Sequence, residues 1–303
     1  MIQVEKKSSE FWYHVAAFGM IMVWGVSFLN TRVLLDAGLT PTEIFVARFI
    51  IAYVSLLVIS GFKVRFTGWR DELLFVVCGI AGGSAYFIAE NTALELTLIS
   101  DVAVLVSTAP LTTALMGAIF YRDERITWMS CVGMIIAFIG SVMLALKNGL
   151  VWGDSIVGDL LALLAAFVWA FYSMALKRLN RTYKTLFITR KLFFYGILSA
   201  LPLLMMEDSQ INWQAVRRPE VWGNLIYLGL VCSLAAYFIW GITVKRIGAV
   251  RASNYFYLSP IISMIAAAIW FGERTTAIAY VGCVLILAGV IMAEKFKRQF
   301  PED

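Results

Sequence analysis

Residues 12–34 read WYHVAAFGMIMVWGVSFLNTRVL, and this long apolar stretch determines how the rest of the chain is interpreted. A helix needs about 20 mainly apolar residues to cross a bilayer, where it must pair all of its backbone groups internally. Of the 303 residues, 61% are hydrophobic and 15% are charged, whereas soluble domains average about 45–50% and 25%. The sequence therefore predicts an all-α polytopic membrane protein.

Ten apolar segments of suitable length follow one another along the chain. They are 12–34, 41–60, 72–94, 101–120, 126–146, 156–176, 185–206, 220–243, 250–271 and 275–293. We interpret the first as an uncleaved helix, because its apolar run is too long for a signal peptide. The loops between segments are too short for a soluble catalytic domain. Any function is therefore expected inside the helical bundle or at its two faces.

The distribution of basic residues predicts the orientation of these segments. With the N-terminus in the cytoplasm, 17 of the 25 Lys and Arg residues fall in cytoplasmic segments and 5 in outer ones. By the positive-inside rule, both termini are expected in the cytoplasm. The same residues are spread over many short loops and form no basic face. We therefore expect membrane lipid, and no nucleic acid, as a partner.

Short motifs recur in the same order after about 150 residues, and such self-similarity indicates an internal repeat. The pairs are Val23-Trp24-Gly25 with Val168-Trp169-Ala170, Tyr86-Phe87-Ile88 with Tyr237-Phe238-Ile239, Ala109-Pro110-Leu111 with Ser259-Pro260-Ile261, and Glu124 with Glu273. The sequence thus predicts two homologous units, residues 1–148 and 149–303.

Each unit holds five of the ten segments. An odd number forces the second unit to enter the membrane from the opposite side, so the repeat is predicted to be inverted. Inverted repeats recur in secondary transporters, which alternate between inward-open and outward-open states around a central site. The architecture therefore favours transport as the function.

With these motifs the chain resembles the EamA family of the drug/metabolite transporter superfamily, a group that includes bacterial ten-helix carriers. The resemblance covers nearly the whole chain. It rests on Trp24-Gly25 in the first segment, Arg48 in the second, Pro110 and Pro260 in the fourth and ninth, and the Glu that closes each of those two. It implies a multi-pass carrier in the bacterial inner membrane. The substrates implied are amino acids and related small metabolites, often exported.

Two ionisable residues inside the segments are candidates for coupling. Arg48 is expected about 10 Å and Glu90 about 7 Å below the same surface, at 1.5 Å per helical residue. Charges inside a bilayer are costly and usually functional. We expect an intramembrane charge pair in which Glu90 is reachable by a proton or an amino group; a static structural pair is the alternative. Arg190 is the expected counterpart of Arg48 in the second half.

Aromatic and polar side chains cluster at corresponding places in the two halves, and spacings of three or four place pairs of them on one helix face. The predicted substrate cavity comprises Trp24, Phe28, Tyr86, Glu90, Asn91, Trp169, Tyr172, Tyr237, Trp240, Asn254 and Tyr257. Such a lining suits an amphipathic solute with an apolar or aromatic body. Positions at the membrane interface or in helix contacts are the alternative for each ring.

Two prolines are expected to kink helices in the middle of the membrane. Pro110 and Pro260 each remove one backbone hydrogen bond, and the resulting kink is either a hinge or a fixed bend. Glu124 and Glu273, each followed by an Arg, are expected in tight turns at helix ends.

No residue pattern points to a metal or a cofactor. Cys78, Cys131, Cys232 and Cys283 lie in apolar segments without a CxxC pair, and His14 is the single histidine. We therefore expect no cofactor and no enzymatic activity. A membrane-embedded enzyme acting on lipid and a non-transporting receptor or assembly subunit remain the alternatives. Substrate identity, direction, coupling ion and oligomeric state are left open.

Overall fold

The computed structural model describes residues 2–61, 66–121, 126–145, 155–207, 217–271 and 276–295, and the regular structure within these ranges is entirely helical. Glu124 and Glu273, and the predicted boundary between residues 148 and 149, lie outside the described residues. The predicted all-helical class is confirmed over the part of the chain that is described.

The helices vary from single turns to more than thirty residues. In chain order they are α1 (Ile2–Asp36), α2 (Pro41–Ser60), α3 (Trp69–Gly79), α4 (Ala85–Leu96), α5 (Ile99–Val106), α6 (Ala109–Phe120), α7 (Trp128–Ala145), α8 (Ile156–Asn180), α9 (Thr185–Met206), α10 (Pro219–Ile226), α11 (Ala236–Ile247), α12 (Ala249–Ser253), α13 (Ser259–Phe271) and α14 (Ala277–Lys295).

Eight helical runs within the described ranges are long and apolar enough to cross a membrane. Some combine several helices: α3 and α4 lie in the run Trp69–Leu96, and α10 and α11 in Pro219–Ile247. Trp128–Leu144 is a shorter apolar helix. The chain is therefore a multi-pass helical membrane protein.

The start of α2 is determined by local chemistry. Thr40 and Glu43 form a capping box, in which the Glu43 N–H donates to Thr40 Oγ1 at 3.1 Å and the Thr40 N–H donates to Glu43 Oε2 at 2.9 Å. Pro41 occupies the first turn, where its missing N–H costs nothing. This motif stabilises the helix start by about 0.5–2 kcal/mol. It places Arg48 two turns inside the helix.

Two membrane-spanning runs contain a π-helical stretch, in which hydrogen bonds reach five residues instead of four. The first is Ile80–Ser84 between α3 and α4, and the second is Tyr227–Ala235 between α10 and α11. In each half a single residue separates the end of the stretch from the repeated aromatic motif, which begins at Tyr86 in one half and at Tyr237 in the other. Hydrophobic periodicity did not predict these stretches.

The two mid-membrane prolines lie where helical stretches begin. Pro110 is the second residue of α6, which follows a break at Ser107 and Thr108, and Pro260 is the second residue of α13, which follows the 3₁₀ turns Asn254–Leu258. Each proline thus follows directly on an interruption of its helical run and occupies the first turn of the next stretch. Proline fits best in a first turn, because it has no N–H to pair with the preceding turn.

Helices α7 and α14 pack with their backbones in close approach. Ser130 Oγ in α7 donates to the Ala293 carbonyl oxygen in α14 at 3.0 Å. A Cβ atom added at Gly133 would lie 2.6 Å from the Ala293 nitrogen and 2.7 Å from the Gly289 carbonyl oxygen. Small residues permit this approach in membranes, where helix association depends on van der Waals packing.

Gly133→Ala is expected to destabilise the protein by about 1–3 kcal/mol, because only movement of the α14 backbone can relieve the overlap. The measurement is thermal unfolding of the purified protein in detergent. Gly223→Ala is the matched control, since an added Cβ there meets nothing within 4 Å. Equal melting temperatures for the two variants would contradict the close packing of α7 and α14.

Candidate functional site

A cluster of buried aromatic rings lies at the centre of the bundle. The Trp24 ring centroid lies 5.4 Å from that of Trp169, 5.4 Å from Trp240, 6.0 Å from Tyr237 and 5.7 Å from Phe256. Edge-to-face and offset pairs at these distances are favourable beyond their area burial. The cluster joins α1, α8 and α11 with the 3₁₀ turns before α13.

Hydrogen bonds from two of these rings end on the π-helical stretches. Trp24 Nε1 donates to the Cys232 carbonyl oxygen at 2.9 Å, and Tyr237 OH donates to the Gly82 carbonyl oxygen at 2.5 Å. Each donor comes from one half of the sequence, and its acceptor lies in the π-helical stretch of the other half. The two irregular stretches thus position the two aromatic residues.

A small cavity lies against the ring cluster. Its volume is ≈ 20 Å³, enough for about one water molecule. Its lining residues come from α1, α4, α8, the 3₁₀ turns 254–258 and the start of α13: Ile21, Trp24, Ser27, Phe28, Tyr86, Phe87, Glu90, Trp169, Phe256 and Ser259. Five of the predicted cavity residues are in this lining, namely Trp24, Phe28, Tyr86, Glu90 and Trp169.

Glu90 contributes the only carboxyl group to the described lining of this cavity. Its side chain is buried, and its Oε1 accepts a hydrogen bond from Tyr86 OH at 2.5 Å, one helical turn away. The Tyr86 ring in turn packs 4.9 Å from the Trp169 ring centroid. A carboxylate with one neutral donor and an apolar surround can attract a cation or a proton.

Arg48 is buried close to this cavity but does not line it. Its Nε donates to Ser233 Oγ at 3.0 Å, and its guanidinium carbon lies 4.1 Å from the Phe87 ring centroid. Its Nη2 has no hydrogen-bond partner among the atoms of the described residues. No ion pair joins Arg48 and Glu90 among the described contacts; Arg48 Nε bonds to Ser233 and Glu90 Oε1 bonds to Tyr86. Phe87 lies between Arg48 and the cavity: its ring contacts the Arg48 guanidinium, and it lines the cavity together with Glu90.

The remaining predicted cavity residues lie outside the lining. Tyr172, Tyr237 and Trp240 are buried behind it in the ring cluster. Asn91 Nδ2 donates to the Pro41 carbonyl oxygen at 3.1 Å. Asn254 and Tyr257 are buried near Phe256 and do not line the cavity.

Several buried polar side-chain atoms of the predicted cavity residues have no hydrogen-bond partner within the described part of the chain: Trp169 Nε1, Trp240 Nε1, Asn91 Oδ1, Asn254 Oδ1 and Tyr257 OH. Unpaired buried groups are rare and costly in folded proteins. They could therefore each accept a hydrogen bond from a polar group that reached them, or donate one to it.

Five lining residues were not among the predicted ones: Ile21, Ser27, Phe87, Phe256 and Ser259. For two of them, Ile21 and Phe87, the sequence does carry a signal. Ile21 and Phe28 lie on either side of Trp24 at helical spacing, and Phe87 belongs to the repeated Tyr86-Phe87 motif. Phe256 has no such signal, since its orientation depends on the 3₁₀ turns of residues 254–258.

A second buried charged group was also not predicted. Lys191 Nζ and Tyr195 OH, both on α9, donate to Glu72 Oε1 at the start of α3. Glu72 Oε2 accepts from Thr67 Oγ1 at 2.9 Å. Lys191 and Glu72 are each 6% exposed. Arg190, the expected counterpart of Arg48, instead donates to the Gly61 carbonyl oxygen at 2.9 Å.

His14 lies away from the cavity, in a polar cluster that joins α1, α12 and α14. Its Nδ1 lies 2.7 Å from Tyr255 OH and its Nε2 lies 2.9 Å from Arg251 Nη2, which also donates to Glu294 Oε1. Among the described residues no group of three His, Cys, Asp or Glu side chains could hold a metal ion.

Together, the fold and the site define a multi-pass helical membrane protein with a closed, acidic, ring-lined cavity. A model of the EamA-like transporter family matches residues 11–146 and, a second time, residues 156–294. The chain belongs to this family. It is therefore a transporter and not an enzyme, and the family resemblance of the sequence motifs is confirmed.

Two relatives whose names state a function agree with this class. A protein of Streptantibioticus cattleyicolor, named "Probable terminal-alkyne amino-acid exporter", is 28% identical over 276 residues, which are 91% of each chain. A protein of Salmonella typhimurium, named "Probable amino-acid metabolite efflux pump", is 27% identical over 292 residues, covering 89% of this chain and 91% of the relative. A solved crystal structure has a TM-score of 0.73 at 21% identity, covering 93% of this chain and 98% of the other. That likeness shows a common fold.

Proposed function

We propose that this chain is a secondary transporter that exports an amino acid or a related amphipathic solute by alternating access. The observation that carries the proposal is the buried Glu90 carboxylate, bonded to Tyr86 at 2.5 Å in a cavity lined by aromatic rings. The carboxylate would bind the solute's ammonium group. Trp24, Phe28, Trp169 and Phe256 would contact its apolar body.

Ten membrane crossings arranged as two inverted five-helix units, residues 1–148 and 149–303, would supply the two states. The double family match supports this division, as do the π-helical stretches Ile80–Ser84 and Tyr227–Ala235 at corresponding places. The excess of Lys and Arg in alternate loops supports an orientation with both termini in the cytoplasm. The bacterial relatives named as exporter and efflux pump support a location in the bacterial inner membrane.

The cavity of ≈ 20 Å³ is far smaller than the roughly 300–1,000 Å³ of small-molecule sites. Binding therefore requires the ring cluster to separate. The bonds from Trp24 to Cys232 and from Tyr237 to Gly82 would close the site. The helix breaks before Pro110 and Pro260 would serve as hinges, because the helical hydrogen-bond ladder is interrupted there.

The relatives named as amino-acid exporter and amino-acid metabolite efflux pump support the solute class. Proton coupling would use Glu90 as well: the carboxyl group would hold either a proton or the solute's ammonium group, but not both. The two ligands would then cross in opposite directions. Arg48 would keep the Phe87 wall in place through its ring contact of 4.1 Å.

The test is counterflow in liposomes that contain the purified protein and phosphatidylcholine, with a panel of amino acids as solutes. We expect saturable uptake of labelled solute against preloaded unlabelled solute, strongest for amino acids with apolar or aromatic side chains. Protein-free liposomes are the control. Chemical conversion of a solute would instead identify an enzyme, and absence of both flux and conversion across the panel would contradict transport of this solute class.

A further inference from the structure

A second concave region lies on the outside of the bundle, between α3 and the C-terminal parts of α6 and α8. This α3/α6/α8 groove has a volume of ≈ 820 Å³. Its walls include Leu74, Val77, Phe120 and Phe171, and it is bordered by Arg178 and Arg181. Val77, Phe120 and Phe171 are 37%, 62% and 40% exposed, so the groove opens toward the surroundings of the bundle.

The charged border of the groove lies at one end of the apolar walls. Arg178 and Arg181 are exposed, and the Arg181 guanidinium carbon lies 5.3 Å from the ring centroid of Tyr121. Lys177 Nζ lies 5.1 Å from the same ring. Tyr121 OH donates to the Met174 carbonyl oxygen at 3.0 Å, which holds the ring against α8. The groove therefore has cations next to an aromatic ring at the C-terminal end of α8, and apolar walls further back along that helix.

This order of groups matches the order of groups in a lipid. A phosphate head group needs cations at the membrane surface, and acyl chains need an apolar trough below it. Cations at the C-terminal end of α8 also complement the helix dipole. The dipole accounts for the charges alone, and it does not explain an apolar groove of ≈ 820 Å³ beneath them.

We propose that the α3/α6/α8 groove binds one anionic phospholipid of the cytoplasmic leaflet, with its phosphate on Arg178 and Arg181 and an acyl chain along Leu74, Val77 and Phe171. The assignment to the cytoplasmic leaflet rests on the proposed topology. The lipid would bridge α3, α6 and α8, and so stabilise the closed packing of these helices.

The experiment measures the melting temperature of purified protein in detergent with added phosphatidylglycerol or phosphatidylcholine of the same acyl chains. We expect phosphatidylglycerol to raise the melting temperature by about 3 °C or more and phosphatidylcholine to have little effect. The double variant Arg178→Gln/Arg181→Gln should lose this difference. Lys184→Gln/Lys245→Gln should keep it, because it removes two exposed cations outside the groove lining.

Two further measurements test whether a whole lipid molecule occupies the groove. Glycerol phosphate, which has the head group without acyl chains, should not raise the melting temperature, whereas Val77→Trp should reduce the phosphatidylglycerol effect by filling the trough. Equal shifts for both lipids, a shift retained in the Arg178 and Arg181 variant, or a full shift with glycerol phosphate would overturn the proposal. A change of oligomeric state on Val77→Trp, measured by light scattering, would assign the groove to a second copy and also overturn it.

The lipid site and the transport function can fail independently. Counterflow is measured in phosphatidylcholine alone, where Arg178→Gln/Arg181→Gln should behave as the unaltered protein. If the unaltered protein shows no counterflow but phosphatidylglycerol still raises its melting temperature, only the transport proposal is contradicted.

Discussion

Glu90→Gln is expected to reduce counterflow at least about 100-fold. Glutamine has the same shape and can still accept the hydrogen bond from Tyr86, but it carries no charge for an ammonium group or a proton. The charge pair that the variant removes is the proposed one between the Glu90 carboxylate and the ammonium group of the solute. Removing one member of a buried charge pair typically costs about 2–5 kcal/mol, and about 2.8 kcal/mol corresponds to 100-fold. The measurement is initial counterflow rate as a function of solute concentration and of pH.

Glu95→Gln is the matched control, since Glu95 lies on the same helix but is exposed and outside the cavity lining. It should transport at the rate of the unaltered protein. Glu90→Gln should also lose any dependence of the rate on a proton gradient. Full transport with unchanged pH dependence in Glu90→Gln would refute the role of Glu90 in binding and coupling.

Lys191→Met is expected to destabilise the protein by about 3–5 kcal/mol. The change removes the cation that neutralises Glu72, and both residues are only 6% exposed. A buried charge left without its partner costs far more than the intact pair contributes. Tyr195 and Thr67 would still donate hydrogen bonds to Glu72, but neither supplies a positive charge. The measurement is thermal unfolding in detergent, supported by the yield of folded protein.

A second variant distinguishes the charge effect from loss of the long side chain. Glu72→Gln/Lys191→Met removes both charges, so it should recover most of the lost stability. Lys184→Met is the control, because Lys184 is exposed at the N-terminal end of the same helix. A loss below about 1 kcal/mol for Lys191→Met would mean that water reaches Glu72 and replaces the lysine.

Much of the class and architecture was predictable from local patterns. Spans of about 20 apolar residues predict membrane-crossing helices directly, because each helix must pair its backbone groups without help from the rest of the chain. The start of α2 at Pro41 follows from the capping residues Thr40 and Glu43 alone. The cavity residues Trp24, Tyr86 and Trp169 were predicted from motif symmetry, since a repeated motif marks positions that meet at the interface of two similar units.

Partners across the bundle were not predictable in the same way. Glu72 and Lys191 are 119 residues apart, and nothing local to either one indicates the other. Arg48 and Glu90 lie at similar predicted depth, yet Arg48 bonds to Ser233 and contacts Phe87. Depth along a helix follows from residue number. The direction that a side chain takes around the helix axis depends on how the helices rotate and pack.

The apolar segments with which the chain begins, of which residues 12–34 are the first, thus determined by themselves that this is a helical multi-pass membrane protein, and the repeated motifs indicated a transporter. Tertiary structure alone decided that the cavity is closed around Glu90 and Tyr86, and that π-helical carbonyls at Gly82 and Cys232 position the rings. The physical reason is the distance along the sequence over which each feature is determined. Membrane insertion depends on short apolar runs, whereas a site depends on contacts between residues as many as 208 positions apart.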